Sequence, residues 1–479
     1  MLEDSTQQNA AIVNTVLAIS GALLFTFWAI TRSSSNGAPK GCRMLGLPLD
    51  QSNLSDEYDP KWVDGVPAPS TDAQGRPAWR VKALFTYPIK SCAGIELDIA
   101  HVVSTGFLHD RQFCFAENVK STQASQIDRC ASGENQSTNW VARTLRNSGF
   151  NKLALVRPEI WVPDPSAPGY TPDLEQVKSQ GVLVVYYPHI GRNILHSALL
   201  GIGICLGLIP CETSFHIPLK PPPDQETTYS LTPVKIWKDS PLAYDYGKHI
   251  PDSFHRFLAC SGTEQRRENG RITLFRVCSS SHREIFRNAP RKKDLGFQPT
   301  TGFADAYPIH LLSLSSVRDV AARCAIAIPH LSIRRFRANV IIQGPGAFAE
   351  DDWKRIRILP SSTSTSSSSS SSSSLNGILR EGKRDTEGTI IHTVCRTIRC
   401  KLPNVDPDTG VRHPAEPDAT LRSYRRIDPG ETRYACLGMQ GVPAVQEFQI
   451  RVGDAISVLE TGEHVYIKML APGEIVEGV

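Results

Sequence analysis

The sequence predicts a β-rich α+β protein held at a membrane by one N-terminal transmembrane helix. Three observations carry that expectation. Apolar and polar residues alternate through much of 80–115, as in VKALFTYPIK and IELDIAHVV, which is how half-buried strands read. The stretches 333–343 and 447–459 read as strands too, whereas helical spacing marks 252–260, with Phe254, Phe257 and Leu258 on one face, and 311–327. Residues 10–30 are uncharged throughout.

The elements follow in chain order. AAIVNTVLAISGALLFTFWAI, residues 10–30, matches the ~20 residues that a helix needs to cross a bilayer. Glu3 and Asp4 precede it, and Arg32, Lys40 and Arg43 follow. A secretory signal peptide would carry a basic front and a shorter apolar stretch. The basic flank places the long C-terminal part in the cytosol, and Phe25, Phe27 and Trp28 suit the interface. The anchor is therefore set at 10–31. Residues 32–79, rich in Ser, Pro, Gly and Asp without apolar periodicity, read as a flexible tether. Folded structure is expected from about Arg80.

Residues 189–230 form an insert in which NILHSALLGIGICLGLI breaks at Pro210 and at Pro221, Pro222 and Pro223. That run is short for a crossing, so a buried or membrane-surface helix is expected. Its Gly201, Gly203 and Gly207 miss the spacing of a dinucleotide loop. The serine tract 361–374 has almost no apolar surface to bury, and reads as a disordered loop that interrupts a domain without ending it.

With 479 residues, and roughly 150 per domain, the chain has room for two or three domains. Its 52 basic and 48 acidic residues leave +4, too even a balance for a nucleic-acid-binding stripe. Twelve cysteines lack the short spacings of a disulfide scaffold, which points to a reducing compartment. No C-x-x-C pair occurs, and Cys395 and Cys400 have no histidine cluster beside them, so structural zinc has little support.

Four distant segments each set a cationic or polar residue at a turn beside a strand: YPIKS at 87–91, HDR at 109–111, RFRAN at 335–339, and Arg399 with Cys400. Brought together, Lys90, Arg111, Arg337 and Arg399 would surround a phosphate dianion, with Ser91 and Asn339 adding neutral hydrogen bonds. A cationic setting also favours a cysteine thiolate, which is a nucleophile and a soft metal ligand. Scattered, solvated surface charges would read the same way.

YPIKSC at 87–92, Asp110 and Arg111, RFRANVII at 335–342, AEDDW at 349–353, and Arg399 and Cys400 followed by VDPDTG at 405–410 resemble MOSC proteins. The kind most similar is the mitochondrial amidoxime reducing component. Glu416 and Pro417, LRSY at 421–424 and VGD at 452–454 extend the resemblance through most of 80–460 in one order.

The resemblance implies an N-terminal β-barrel domain, set at 80–295 with the insert inside it, followed by a MOSC β-barrel domain at 296–475. Between them would lie a molybdenum–molybdopterin cofactor. By the same resemblance Cys400 is the metal ligand and catalytic residue, and Lys90, Ser91, Arg111, Asp305, Arg337, Asn339 and Arg399 bind the cofactor. The implied activity is reduction of N-hydroxylated compounds with electrons from cytochrome b5 and its NADH-dependent reductase. The implied place is the mitochondrial outer membrane, with the endoplasmic reticulum second. The sequence departs from the pattern at Thr397, where relatives carry a second cysteine, and at Ile398, where they often carry serine. An alternative reading is a sulfur carrier with a persulfide on Cys400, which would need a separate desulfurase. A non-catalytic membrane scaffold is a third, although Lys90, Arg111 and Cys400 are all kept.

Overall fold

The computed structural model describes residues 38–119, 139–191, 193–259, 272–361 and 388–468. Most of its regular structure is strand, arranged around two closed sheets. The smaller barrel joins Leu231–Lys235, Leu242–Asp245, Ile272–Val277, Phe113–Val119 and Asn139–Ala142 in a ring. Phe113–Val119 reads FCFAENV and buries both faces. Phe113 and Phe115 enter one apolar cluster, while Cys114 and Ala116 enter another with Val234, Ala243, Phe275 and Val277. Period two thus lets one strand divide its side chains between two cores.

The larger sheet orders Val340–Gln343, Ile309–Ser313, Cys436–Pro443, Thr389–Ile398, Trp353–Leu359, Ala455–Thr461 and Arg80–Thr86, and closes by pairing Arg80–Thr86 back to Val340–Gln343. Val81, Leu84, Ile309, Leu311, Ile356 and Ile391 share one core. Ala83, Phe85, Leu312 and Ile341, on the alternate faces, pack against the helix Leu314–Cys324 through Val317 and Val320. Arg80–Thr86, the first strand expected of the N-terminal domain, therefore completes the C-terminal barrel. This shared strand brings the turn after it, with Lys90 and Ser91, to the seam between the two barrels.

Several sequence expectations are corrected. Residues 38–79 are packed chain and not a free tether. Cys42–Met44 pairs with Arg157–Pro163, Leu54 is buried, and Glu57, 4% exposed, accepts a hydrogen bond from the Ile333 backbone. Such irregular chain has no periodicity to read, because its contacts are made one side chain at a time. Helix does not begin at Leu311, since Ile309–Ser313 is a strand inside the sheet. The stretch 333–343 opens with a 3-10 turn, Ile333–Phe336, before its strand.

The insert contains a helix, Ile194–Cys205, between strands Val182–Pro188 and Glu212–Pro218. The expected anchor at 10–31 lies outside the described residues, as does the serine tract except for Ser361. Among the described residues no helix is long and apolar enough to cross a membrane.

Candidate active site

A cavity of about 670 Å³ opens between the two barrels, lined by Lys90, Ser91, Arg111, Asp305, Arg337, Asn339, Arg399 and Cys400 among others. All eight residues singled out in the sequence thus meet in one place. Ten basic side chains line it against three acidic ones, an excess suited to an anionic occupant.

Four cavity residues hold left-handed backbone conformations: Ser91 (φ 69°), Arg111 (φ 47°), Trp237 (φ 54°) and Arg337 (φ 57°). Non-glycine residues adopt this region uncommonly, and such strain persists only where the surroundings enforce it. Here the turns are pinned. Lys90 N donates to Phe113 O at 2.8 Å, Arg111 N to Tyr87 O at 2.8 Å, and Arg337 N to Arg334 O at 3.2 Å. Tyr87 N donates to the Asp110 carboxylate at 2.8 Å. The Tyr87 ring carries both guanidinium groups, Arg111 at 4.7 Å and Arg337 at 4.3 Å from its centroid, an arrangement favoured by the ring quadrupole.

Lys90 is 6% exposed. Its ammonium donates to Phe303 O at 2.9 Å and to Asp305 Oδ1 at 2.5 Å, and burial pulls its pKa below the ordinary lysine value despite Asp305. Burial would raise the Asp305 carboxyl, but Lys90, Arg146 and Arg111 together hold it well below the usual carboxylate range. Arg283 shapes the loop bearing Asp305 by donating to the carbonyls of Gly302, at 3.0 Å, and Ala304.

Arg111 forms a buried ion pair with Asp110 at 2.5 Å and donates to Asn339 Oδ1 at 3.1 Å and Arg337 O at 3.0 Å. Asn339 is expected to offer neutral hydrogen bonds to a ligand, but its amide is already spent. Nδ2 donates to Phe85 O and Asp110 Oδ1, and Oδ1 accepts from Arg111 and His310 N. With two donors and two lone pairs, it organises Arg111 and Asp110 instead.

Arg337 differs from its neighbours. Nη1 donates to Cys92 O at 2.5 Å, while the buried Nη2 has no partner among the described residues. Burial pushes its pKa down to about 10. Buried donors are nearly always satisfied, so this one fits a ligand acceptor. Arg399 is likewise pushed down to about 10 by burial. Its side chain points into the protein, donating to Leu437 O, Phe336 O and His310 Nε2 at 2.7 Å. Because arginine has no acceptor, His310 Nε2 accepts, and burial followed by the Arg399 and Arg111 charges keeps His310 neutral. Gly438 (φ 77°) lets its strand come this close, since a Cβ there would stand 2.9 Å from His310 Nε2.

Cys400 follows the strand Thr389–Ile398 at a half-exposed position, and Leu402 N donates to its Sγ at 3.4 Å. Cys395 is fully buried beside Tyr307, Val394 and Val442 and outside the cavity lining. Thr397 lines the cavity and accepts from Gln440 at 3.1 Å. No second thiol replaces the missing one among the described lining residues.

Sequence reading missed Arg146, Trp237 and His310. Arg146 stacks on Trp237 at 4.2 Å, reaches Asp305 at 3.4 Å and lies close enough to Cys400 for its charge to act on the sulfur. Only the tertiary fold joins these residues, so nothing local could have flagged them.

A family model described as the MOSC domain matches residues 298–457, and one described as the MOSC N-terminal beta barrel domain matches 78–128. Residues 298–457 thus carry a MOSC domain. Curated relatives include "Mitochondrial amidoxime-reducing component 1" of Mus musculus, 32% identical over 160 residues, and that of Homo sapiens, 31% over 160. "Mitochondrial amidoxime reducing component 2" of Rattus norvegicus is 30% identical over 157 residues. The mouse and human matches cover 33% of this chain and 38% of each relative, and the rat match covers 32% and 37%. The chain therefore matches under two fifths of these relatives' length.

Proposed function

We propose that this MOSC protein is a molybdenum-cofactor-dependent oxidoreductase that reduces N-hydroxylated compounds. The observation carrying the reading is the convergence of Cys400 with Lys90, Ser91, Arg111 and Arg337 on one cavity. The residues fit the cofactor in two respects. The orphaned Arg337 Nη2 and the cationic lining suit a pterin phosphate. Among the described lining residues Cys400 is the one thiol, a soft ligand beside which the pterin would supply the remaining sulfurs.

Lys90, Arg111 and Arg337 would bind the phosphate, and Cys400 would hold the metal. Asn339 and Asp110 fix Arg111, while His310 fixes Arg399 beside Cys400, so the ligand shell is oriented before anything binds. Bound there, the cofactor would supply two-electron chemistry at an open metal position. The net reaction consumes two electrons and two protons per N–O bond and yields the reduced nitrogen compound and water. The names of the curated relatives support this substrate class. The electron source is proposed to be cytochrome b5 with its NADH-dependent reductase, and the site the mitochondrial outer membrane, reached through the anchor at 10–31.

The test is Cys400→Ser in the full chain, expressed in cells that make the pterin, with bound molybdenum and benzamidoxime reduction as readouts. Benzamidoxime reduction is expected to be lost and bound molybdenum to fall while the protein stays folded. Retention of both overturns the assignment, and a metal-free wild-type protein with labile sulfane sulfur would favour the carrier role.

A further inference from the structure

The helix Ile194–Cys205 is apolar on its outside. Its fully buried side is small, Leu200 and Gly203, with His196, Leu199 and Ile204 half-buried. Gly203 sits so near Ile209 that a Cβ would come within 2.5 Å of Cδ1. On the outward side Ile194 is 92% exposed, Leu195 71% and Ile202 58%, and Leu206 just beyond is 66% exposed. No Asp, Glu, Lys or Arg occurs between Ile194 and Cys211. Surface helices normally turn charged residues outward, and monomers rarely expose contiguous apolar patches. The helix is also a finished one, because the Asn193 side chain caps it by accepting from His196 N at 2.8 Å.

Its place in the fold says what covers it. The helix joins two neighbouring strands of the sheet ordered Cys42–Met44, Arg157–Pro163, Val182–Pro188, Glu212–Pro218. The described chain begins just before Cys42–Met44, at the opposite edge and the opposite end of the strands. Three strand spacings make about 14 Å and seven residues of strand about 20 Å, so the diagonal is about 24 Å. The uncharged stretch of the sequence ends at Ile30, eight residues before Ala38, and eight extended residues reach roughly 27 Å. A bilayer entered by residues 10–30 is therefore within reach of the helix.

We propose that Ile194–Cys205 docks into the surface of a lipid bilayer, with Ile194, Leu195, Ile202 and Leu206 in the acyl boundary. A protein partner would be expected to meet aromatic or arginine anchors and a polar rim. The described residues of the helix include no aromatic and no arginine, and hydrocarbon needs none. Interfacial helices sink about 5–10 Å into this boundary. Docking there adds a second contact to the anchor and fixes how the catalytic domains face the membrane.

The experiment uses the full chain reconstituted in phosphatidylcholine vesicles, with photoreactive benzoylphenylalanine replacing Ile202 or, separately, Ile326, which is fully exposed elsewhere. Irradiation is expected to yield a lipid adduct, read by mass, at position 202 and not at 326. Adding Leu195→Glu should cut the adduct at 202 at least tenfold. A crosslinked dimer at 202, equal lipid adducts at both positions, or no lipid adduct at 202 overturns the proposal. None of these readouts depends on molybdenum, so the result stands apart from the proposed activity.

Discussion

Replacing Arg337 with Met separates ligand binding from folding. Among the described residues its guanidinium pairs with no carboxylate. One nitrogen donates to Cys92 O and the other buried one has no partner. The pKa depression from 12.5 to about 10 means that the buried charge costs on the order of 3 kcal/mol at 1.36 kcal/mol per unit. Methionine removes that cost and keeps apolar bulk over Tyr87, but strands the Cys92 carbonyl, a loss of about 1–3 kcal/mol. The cofactor-free protein should therefore change by less than about 2 kcal/mol. Arg111→Met is the contrast, because it leaves the Asp110 carboxylate, 2% exposed, without its cation, at a cost of about 3–5 kcal/mol. A lost charged hydrogen bond to a phosphate, about 1.5–3 kcal/mol, should still weaken pterin retention in Arg337→Met by roughly ten- to a hundredfold. Urea midpoints of both variants made without pterin, with pterin content of both made with it, provide the assay. The reasoning is refuted if Arg337→Met is as unstable as Arg111→Met, or if it retains pterin like the wild type.

Other expectations follow from the same contacts. Glu350 is fully buried and accepts from Ser313 N and Ser316 Oγ; burial and then Asp351 push its pKa from 4.5 up to about 7. The folded state holds that proton more tightly than the unfolded one, so its stabilisation is present below about 4.5 and is lost as pH rises through 7, about 3 kcal/mol in all. Glu350→Gln should flatten this part of the pH dependence, and urea midpoints at pH 5 and 8 falling in parallel with wild type would contradict it. Asn339→Asp sets a second carboxylate where Nδ2 now donates to Asp110 and should cost about 3 kcal/mol, measured by thermal melting; an unchanged midpoint removes Asn339 from its organising role. Arg146→Ala breaks only a partly exposed pair, so stability should shift by under about 1 kcal/mol. Loss of its charge beside Cys400 should lower benzamidoxime kcat/KM roughly tenfold, and an unchanged value would make Arg146 a bystander.

The legible parts of the fold were those with local signals. Alternation in VKALFT marked a strand because each face meets a separate core, and Cys400, Lys90 and Arg111 stood in motifs whose order carried the family resemblance. What stayed hidden depends on long-range contact. Residues 38–79 looked like a tether since Leu54 and Glu57 find their partners in elements distant in sequence, Glu57 in the far half of the chain. Asn339 was legible as a site residue but not in its role, because only the structure shows all four of its hydrogen-bonding positions filled by protein. The helix starting at Leu311 was misplaced because IHLLS is apolar enough for either element, and the sheet decided between them.

Molybdenum X-ray absorption on the purified full chain tests the central claim most directly. If Cys400 holds the metal, the wild-type spectrum contains three sulfur ligands, two from the pterin dithiolene and one from the protein. Cys400→Ser protein that still retains metal should show two. An identical sulfur shell in both proteins, or wild-type protein from pterin-competent cells with no molybdenum at all, would contradict the account.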